Sequence, residues 1–361
     1  MIKVVISEVD GYLKEITEGL DFSSIEQFFQ DHMRGEVSFE ELVYTVATEG
    51  LEGLNAEKIC TFAFDTIFYE LSLARPMFLK MLLFSVLFSL AHRFLATKNK
   101  YISDIGFLMI YATLMVLLMQ SFFLVRDIAL EGINTLMTFL SALIPTYALT
   151  MVFSGHVVSG AMLYEVAFLL IYLVEMLMKV FLSPIIHIFV LVLFLNNLFE
   201  EDKLSKLAQF MEKGIQVVLK TTFGTVIGLG VVQSMLTPAK DKLTGNTLLS
   251  GLSAIPGIGN VVNSAGEILL SCGMLIKNSV GVVALIAIVI ITIIPVLQIG
   301  VFCVMYHLLS ILLQPIADVR ITECVSGVAR GCGLYLKIVI YSMMLFFILF
   351  SIISMATSFV R

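Results

Sequence analysis

The sequence predicts an all-α polytopic membrane protein with about seven or eight transmembrane helices and a short acidic helical N-terminal region. Composition is the first reason: of 361 residues, 59% are hydrophobic and only 14% charged, with mean hydropathy +0.99, whereas soluble domains are roughly 45–50% apolar and about 25% charged. The second is the recurrence, along 77–357, of apolar runs near the ~20 residues that cross a bilayer. The third is charge distribution. Residues 1–70 carry 15 acids and 4 bases, and residues 71–361 carry 13 acids and 18 bases. An acidic region, 1–75, therefore precedes a helical membrane domain, 76–361.

Within the first region, Ser38-Phe39-Glu40-Glu41 fits a capping box that opens a helix to about Thr48. Asn55 can cap a second helix to about Ala74, whose apolar residues suit either a helix on the membrane surface or the core of a small soluble domain. Met1-Ile2-Lys3 runs into Glu8 and Asp10, so no signal peptide is expected there.

Apolar spans follow at 77–95, 105–125, 134–153, 158–178, 181–199, 216–236, 279–294, 296–313 and 333–357. The runs 158–199 and 279–313 are broken by Pro184 and Pro295, and each reads as a tight hairpin or a single kinked helix. Arg93, Lys98 and Lys100 follow the first span, and Lys203, Lys206, Lys213 and Lys220 follow the fifth; the positive-inside rule makes that side cytoplasmic and puts the N-terminal region outside. Pro145 and Pro256, and likewise Pro184 and Pro295, are 111 residues apart. This offset marks either two repeats, 134–245 and 245–356, of the kind transporters use to build a midplane site, or a coincidence between segments of similar length.

Ionisable groups in spans are costly and each needs a reading. Glu175 and Lys179 stand at i, i+4 in the favourable order, either neutralising each other or contributing to a polar path. Glu165 has no such partner and is a candidate for a cavity or interface. Lys80 and Lys277 lie near span ends and are expected to snorkel. The five Cys and five His show no metal-ligand spacing, and the Gly-rich 251–259 lacks the Gly-Lys-Ser/Thr of a phosphate loop. No catalytic group, metal, cofactor or nucleic-acid partner is expected, so the chain reads as a non-enzyme whose surroundings are the lipid bilayer.

The most informative stretch is the Gly- and Pro-rich polar interruption before and beyond residue 256. It contains Val232-Gln233, Pro238-Ala239-Lys240-Asp241, Pro256-Gly257-Ile258-Gly259, Glu267, and Met274-Leu275-Ile276-Lys277-Asn278-Ser279-Val280-Gly281. An apolar run holding Pro295 and Tyr306 follows, closing on Leu313-Gln314-Pro315-Ile316-Ala317-Asp318. In order and spacing these motifs resemble the stage III sporulation protein AE family, most closely over 216–357. The place that matches the family's Thr-Gly-Asn reads Gly251-Leu252-Ser253.

The resemblance implies a membrane-embedded component of a secretion-like channel complex, made in the mother cell and placed in the membrane around the forespore. It also implies partners: other stage III sporulation membrane proteins, a separate ATPase and ring-forming subunits. A stand-alone secondary transporter and a non-conducting scaffold are the other readings. The expected working residues are Gln233, Pro256, Gly259, Glu267, Lys277, Asn278, Gly281, Pro295, Gln314, Pro315 and Asp318. In this expectation 237–278 lines or gates a polar path, and Lys277, Asn278 and Asp318 hold its geometry.

Overall fold

A computed structural model of the chain describes residues 22–32, 38–49, 100–198, 203–253 and 259–358, together with parts of 72–90. Every described element is a helix: α1 (Ser23–His32), α2 (Phe39–Glu49), α3 (Phe78–Leu87), α4 (Lys100–Phe153), α5 (Val157–Glu175), α6 (Ser183–Leu198), α7 (Ser205–Ser253), α8 (Gly259–Leu313) and α9 (Val319–Ser358). Between α5 and α6 a π-helical stretch, Met176–Leu182, keeps the two in one rod. Pro184 follows at once; it lacks an N–H and its ring crowds the carbonyl four residues back, which the wider π turns accommodate.

Among the described residues, five helices are long and apolar enough to cross a membrane: Ile105–Phe153, Val157–Leu198, Ser205–Val232, Gly273–Leu313 and Val319–Met355. The expected seven or eight crossings are not shown. Spans 105–125 and 134–153 are one helix: Arg126, Asp127, Glu131 and Gly132 between them all ride on helical backbone. Spans 279–294 and 296–313 likewise continue through Pro295. At ~1.5 Å per residue, the 41 residues of Gly273–Leu313 run about 60 Å, roughly twice the ~30 Å hydrocarbon thickness.

The rods pack antiparallel in sequence. α4 and α8 keep one register along their whole contact, with Ser121 beside Tyr306, Gly132 beside Pro295, Tyr147 beside Gly281 and Phe153 beside Gly273. α7 and α9 run parallel, paired through Glu212–Arg330, Phe223–Tyr341 and Gly230–Leu349. Since lipid is as apolar as the side chains, close packing and interhelical hydrogen bonds hold such helices together. Tyr111 Oη donates to Phe194 O at 2.7 Å, tying α4 to α6, and Tyr306 bonds Ser121 between α8 and α4.

The turn from α4 to α5 is a Schellman motif. Gly155 has φ 85°; its N–H reaches Val152 O at 3.0 Å, and the His156 N–H reaches Met151 O at 2.8 Å. In the acidic region, Ser38 Oγ accepts the Glu41 N–H at 3.3 Å, so Ser38 caps α2 as expected. The reciprocal half of the box is supplied from α1: Glu26 Oε2 accepts the Phe39 N–H at 2.9 Å and the Ser38 hydroxyl at 3.2 Å. Phe28 then docks this pair on α4, its ring 5.4 Å from that of Phe139. The helix expected from Asn55 lies outside the described residues.

Candidate functional site

Two polar districts interrupt the apolar bundle. One is at the α4–α5 turn and collects the Lys277-Asn278-Ser279-Val280-Gly281 motif. Register places Lys277, between Gly273 and Gly281, level with 147–153 of α4. Lys277 is 0% exposed, so it does not snorkel as its place near a span end predicts. It lies within the bundle, where its level also holds buried Thr146, Tyr147, Thr150, Ser154, His156 and Ser279.

Several of these hydroxyls satisfy themselves on their own helices. Thr150 Oγ1 donates to Tyr147 O at 2.7 Å, Ser154 Oγ to Met151 O at 2.8 Å and Ser279 Oγ to Leu275 O at 2.9 Å. Ser154 Oγ also meets His156 Nδ1 at 3.2 Å. Gly281 explains its own place in the motif: a Cβ there would stand 3.2 Å from both Tyr147 Oη and Ser354 Oγ. The missing side chain lets α8 approach a tyrosine of α4 and a serine of α9 together.

The other district is a waist at mid-height. Arg126 and Asp127 pair at 2.7 Å. Lys179 Nζ donates to Glu175 Oε1 at 2.7 Å and to Asn134 Oδ1 at 2.9 Å, so the i, i+4 charges neutralise each other and also bind the π-helical stretch to α4. Exposed Glu131 lies between them, and exposed Lys220 and Lys337 each stand about a turn before the Phe223–Tyr341 contact. His187 stacks on Phe123 with centroids 5.3 Å apart and meets Tyr335 Oη through Nδ1 at 3.0 Å. Ser183 Oγ also meets Tyr335 Oη at 3.0 Å, so the polar groups are cross-linked between α6 and α9.

The waist divides each rod. On the side of the α4–α5 turn, 135–153, 157–174, 278–294 and 338–355 hold a single charged residue, Glu165. On the other side, α7 carries Lys206, Glu212 and Lys213, and α9 carries Arg320, Glu323 and Arg330.

The remaining expected residues scatter. Asp318 lies beyond the far end of α8 from Lys277, about 55 Å away along the 36 residues from Lys277 to Leu313. It caps α9: its Oδ1 accepts the Arg320 N–H at 2.9 Å, and its carbonyl takes the Ile321 and Thr322 N–H groups at 3.0 and 3.1 Å. Gln314 and Pro315 form the turn before it, so Leu-Gln-Pro-x-x-Asp stops one helix and starts the next. Lys277 and Asp318 therefore do not share a site.

Glu267 and Lys277 sit ten residues apart on the continuous α8, so the chain does not fold back to join them. The backbone is helical at Gln233, Gly259 and Glu267. Pro256 and the side chains of Gln233 and Glu267 lie outside the described residues. Pro295 packs against Gly132 at the waist. Glu165 is exposed beside Tyr164 in a groove between α4 and α5. Sequence reasoning missed Tyr147, Thr150 and His156, whose one signal is polarity next to a span end, and missed the waist by reading 126–133 as a connection.

A family model described as stage III sporulation protein AE matches residues 37–357. The chain is also similar to the stage III sporulation protein AE of Bacillus subtilis (strain 168), at 25% identity over 297 residues covering 81% of this chain and 74% of that protein. No solved structure matches.

Proposed function

Because the chain belongs to the stage III sporulation protein AE family, and so has its role in stage III of sporulation, we propose that it is the membrane-embedded part of a channel or secretion-like complex joining mother cell and forespore. It works there as an assembly component in the mother-cell membrane around the forespore, beside other stage III membrane proteins, an ATPase on a separate chain and ring-forming subunits. The observation that carries this reading is the set of five long apolar helices whose buried end holds Lys277, Asn278 and Gly281.

The packing favours a conduit formed between chains rather than through one. Tyr111, Phe122, Tyr147, Lys277, Tyr335 and Phe346 are all almost fully buried along the bundle, which leaves its centre filled with side chains. Deleting the gene in a spore-forming host and restoring it in the mother cell tests the role. Heat-resistant spores disappear on deletion and return on complementation; normal spore yield without the gene refutes the proposal.

A further inference from the structure

The groove between the second half of α4 and the first half of α5 has a different character from the rest of the lipid-facing surface. Pro145, Ala148, Val152, Gly160 and Ala161 line it together with Glu165, and it holds about 460 Å³. Gly160 draws the two helices together: a Cβ there would stand 2.8 Å from Ala148 O. Exposed Ala161 leaves room on the α5 wall, and Leu149, Val157 and Tyr164 complete an apolar lining against which another membrane helix can pack.

Glu165 is the polar feature that selects the occupant. It is exposed, no ion pair or hydrogen bond to it occurs among the described residues, and it is the single charge in 157–174. A carboxylate in that position is costly in lipid unless a cation or donor meets it. On α4, α5, α8 and α9 a second copy offers no exposed one at this level. Among 135–174, 277–294 and 338–355 the one cation is Lys277, and it is buried.

We propose that this groove receives a single transmembrane helix of a different membrane protein, carrying a Lys or Arg at the depth of Glu165. The inference rests on the chain being part of a membrane assembly, as proposed above, and adds where one partner docks and which charge it brings. The apolar walls supply packing, and the ion pair sets depth and register, the role that polar groups between membrane helices commonly take.

The test uses the full chain in sporulating cells. Glu165→Lys and Ala161→Phe are expected to cut the yield of heat-resistant spores about tenfold or more, with normal amounts of the chain in the membrane. Suppressors of Glu165→Lys are expected to replace a Lys or Arg by Asp or Glu within an apolar span of another protein. A cysteine at that position is then expected to form a disulfide with Ala161→Cys.

Normal yield from Ala161→Phe overturns the proposal, even if Glu165→Lys removes the chain from the membrane. So does a suppressor set confined to this chain, or the absence of suppressors in any other. A gene deletion run alongside separates the two claims. If deletion blocks sporulation and the groove variants do not, the docking site alone is wrong; if deletion has no effect, the role in sporulation is wrong.

Discussion

Gly132 on α4 and Pro295 on α8 fit each other at the waist of the bundle: a Cβ at 132 would lie 2.7 Å from both Cβ and Cγ of Pro295. The proline ring fills the space the glycine leaves. This contact lets a long helix that contains proline pack closely beside α4, with the polar girdle at the same height. Gly132→Ala therefore overpacks the joint and is expected to destabilise the chain by about 1–3 kcal/mol. Thermal unfolding of the detergent-solubilised protein checks this, and Pro295→Ala in the same chain is expected to recover part of the loss.

At the motif end, Gly281→Ala places a methyl group 3.2 Å from Tyr147 Oη and Ser354 Oγ. A lower unfolding temperature is expected, with a larger drop for Gly281→Val. Tyr147→Phe removes one of the two crowding oxygens, so the Gly281→Ala, Tyr147→Phe double variant is expected to be more stable than the single. Equal stability of single and double variants would show that α8 does not approach α4 there.

Lys277 and Asp318 belong to different parts of the account, and their variants are expected to behave differently. Asp318→Ala loses a helix cap, a cost of about 1 kcal/mol, whereas Asp318→Asn keeps it and is expected to sporulate normally. Lys277→Met keeps most of the side-chain volume and removes the charge; it is expected to leave the chain in the membrane while blocking sporulation. Spore counts and immunoblots of membrane fractions read both. Normal sporulation with Lys277→Met would reduce the motif lysine to packing.

The waist is expected to touch water or lipid headgroups while the segments on the turn side of it face lipid. Single cysteines at Glu131 and Lys337 should react with a membrane-impermeant maleimide in opened cells, and cysteines at Leu149 and Val289 should not. Equal protection of all four sites would bury the waist in lipid as well.

The membrane class, the Ser38 cap, the Glu175–Lys179 pair and the family motifs were legible in the sequence because each rests on composition or on neighbours within about a turn. Span number was not. Hydropathy sees Arg126, Asp127 and Glu131 as a break between two spans, but charged residues are compatible with helical hydrogen bonding, which here continues through them and through Gly132. At Pro295 the sequence left a hairpin and a single helix both open, since the space that admits the proline is at Gly132, far away in sequence. The joint role assigned to Lys277 and Asp318 failed for a related reason: the 36 residues between Lys277 and Leu313 are one continuous stretch of helix, which holds the two motifs far apart. The buried polar group around Tyr147, Thr150 and His156 depends on the register between α4 and α8, which a single sequence does not display.

The central claim is that this chain is a working part of a passage between mother cell and forespore. Transfer of a small membrane-impermeant fluorescent tracer from mother cell to engulfed forespore tests it most directly, compared among wild-type, deleted and Lys277→Met cells. Transfer is expected in wild-type cells, absent in the deletion, absent with Lys277→Met and restored by the wild-type gene. Undiminished transfer in the deleted cells would contradict the account.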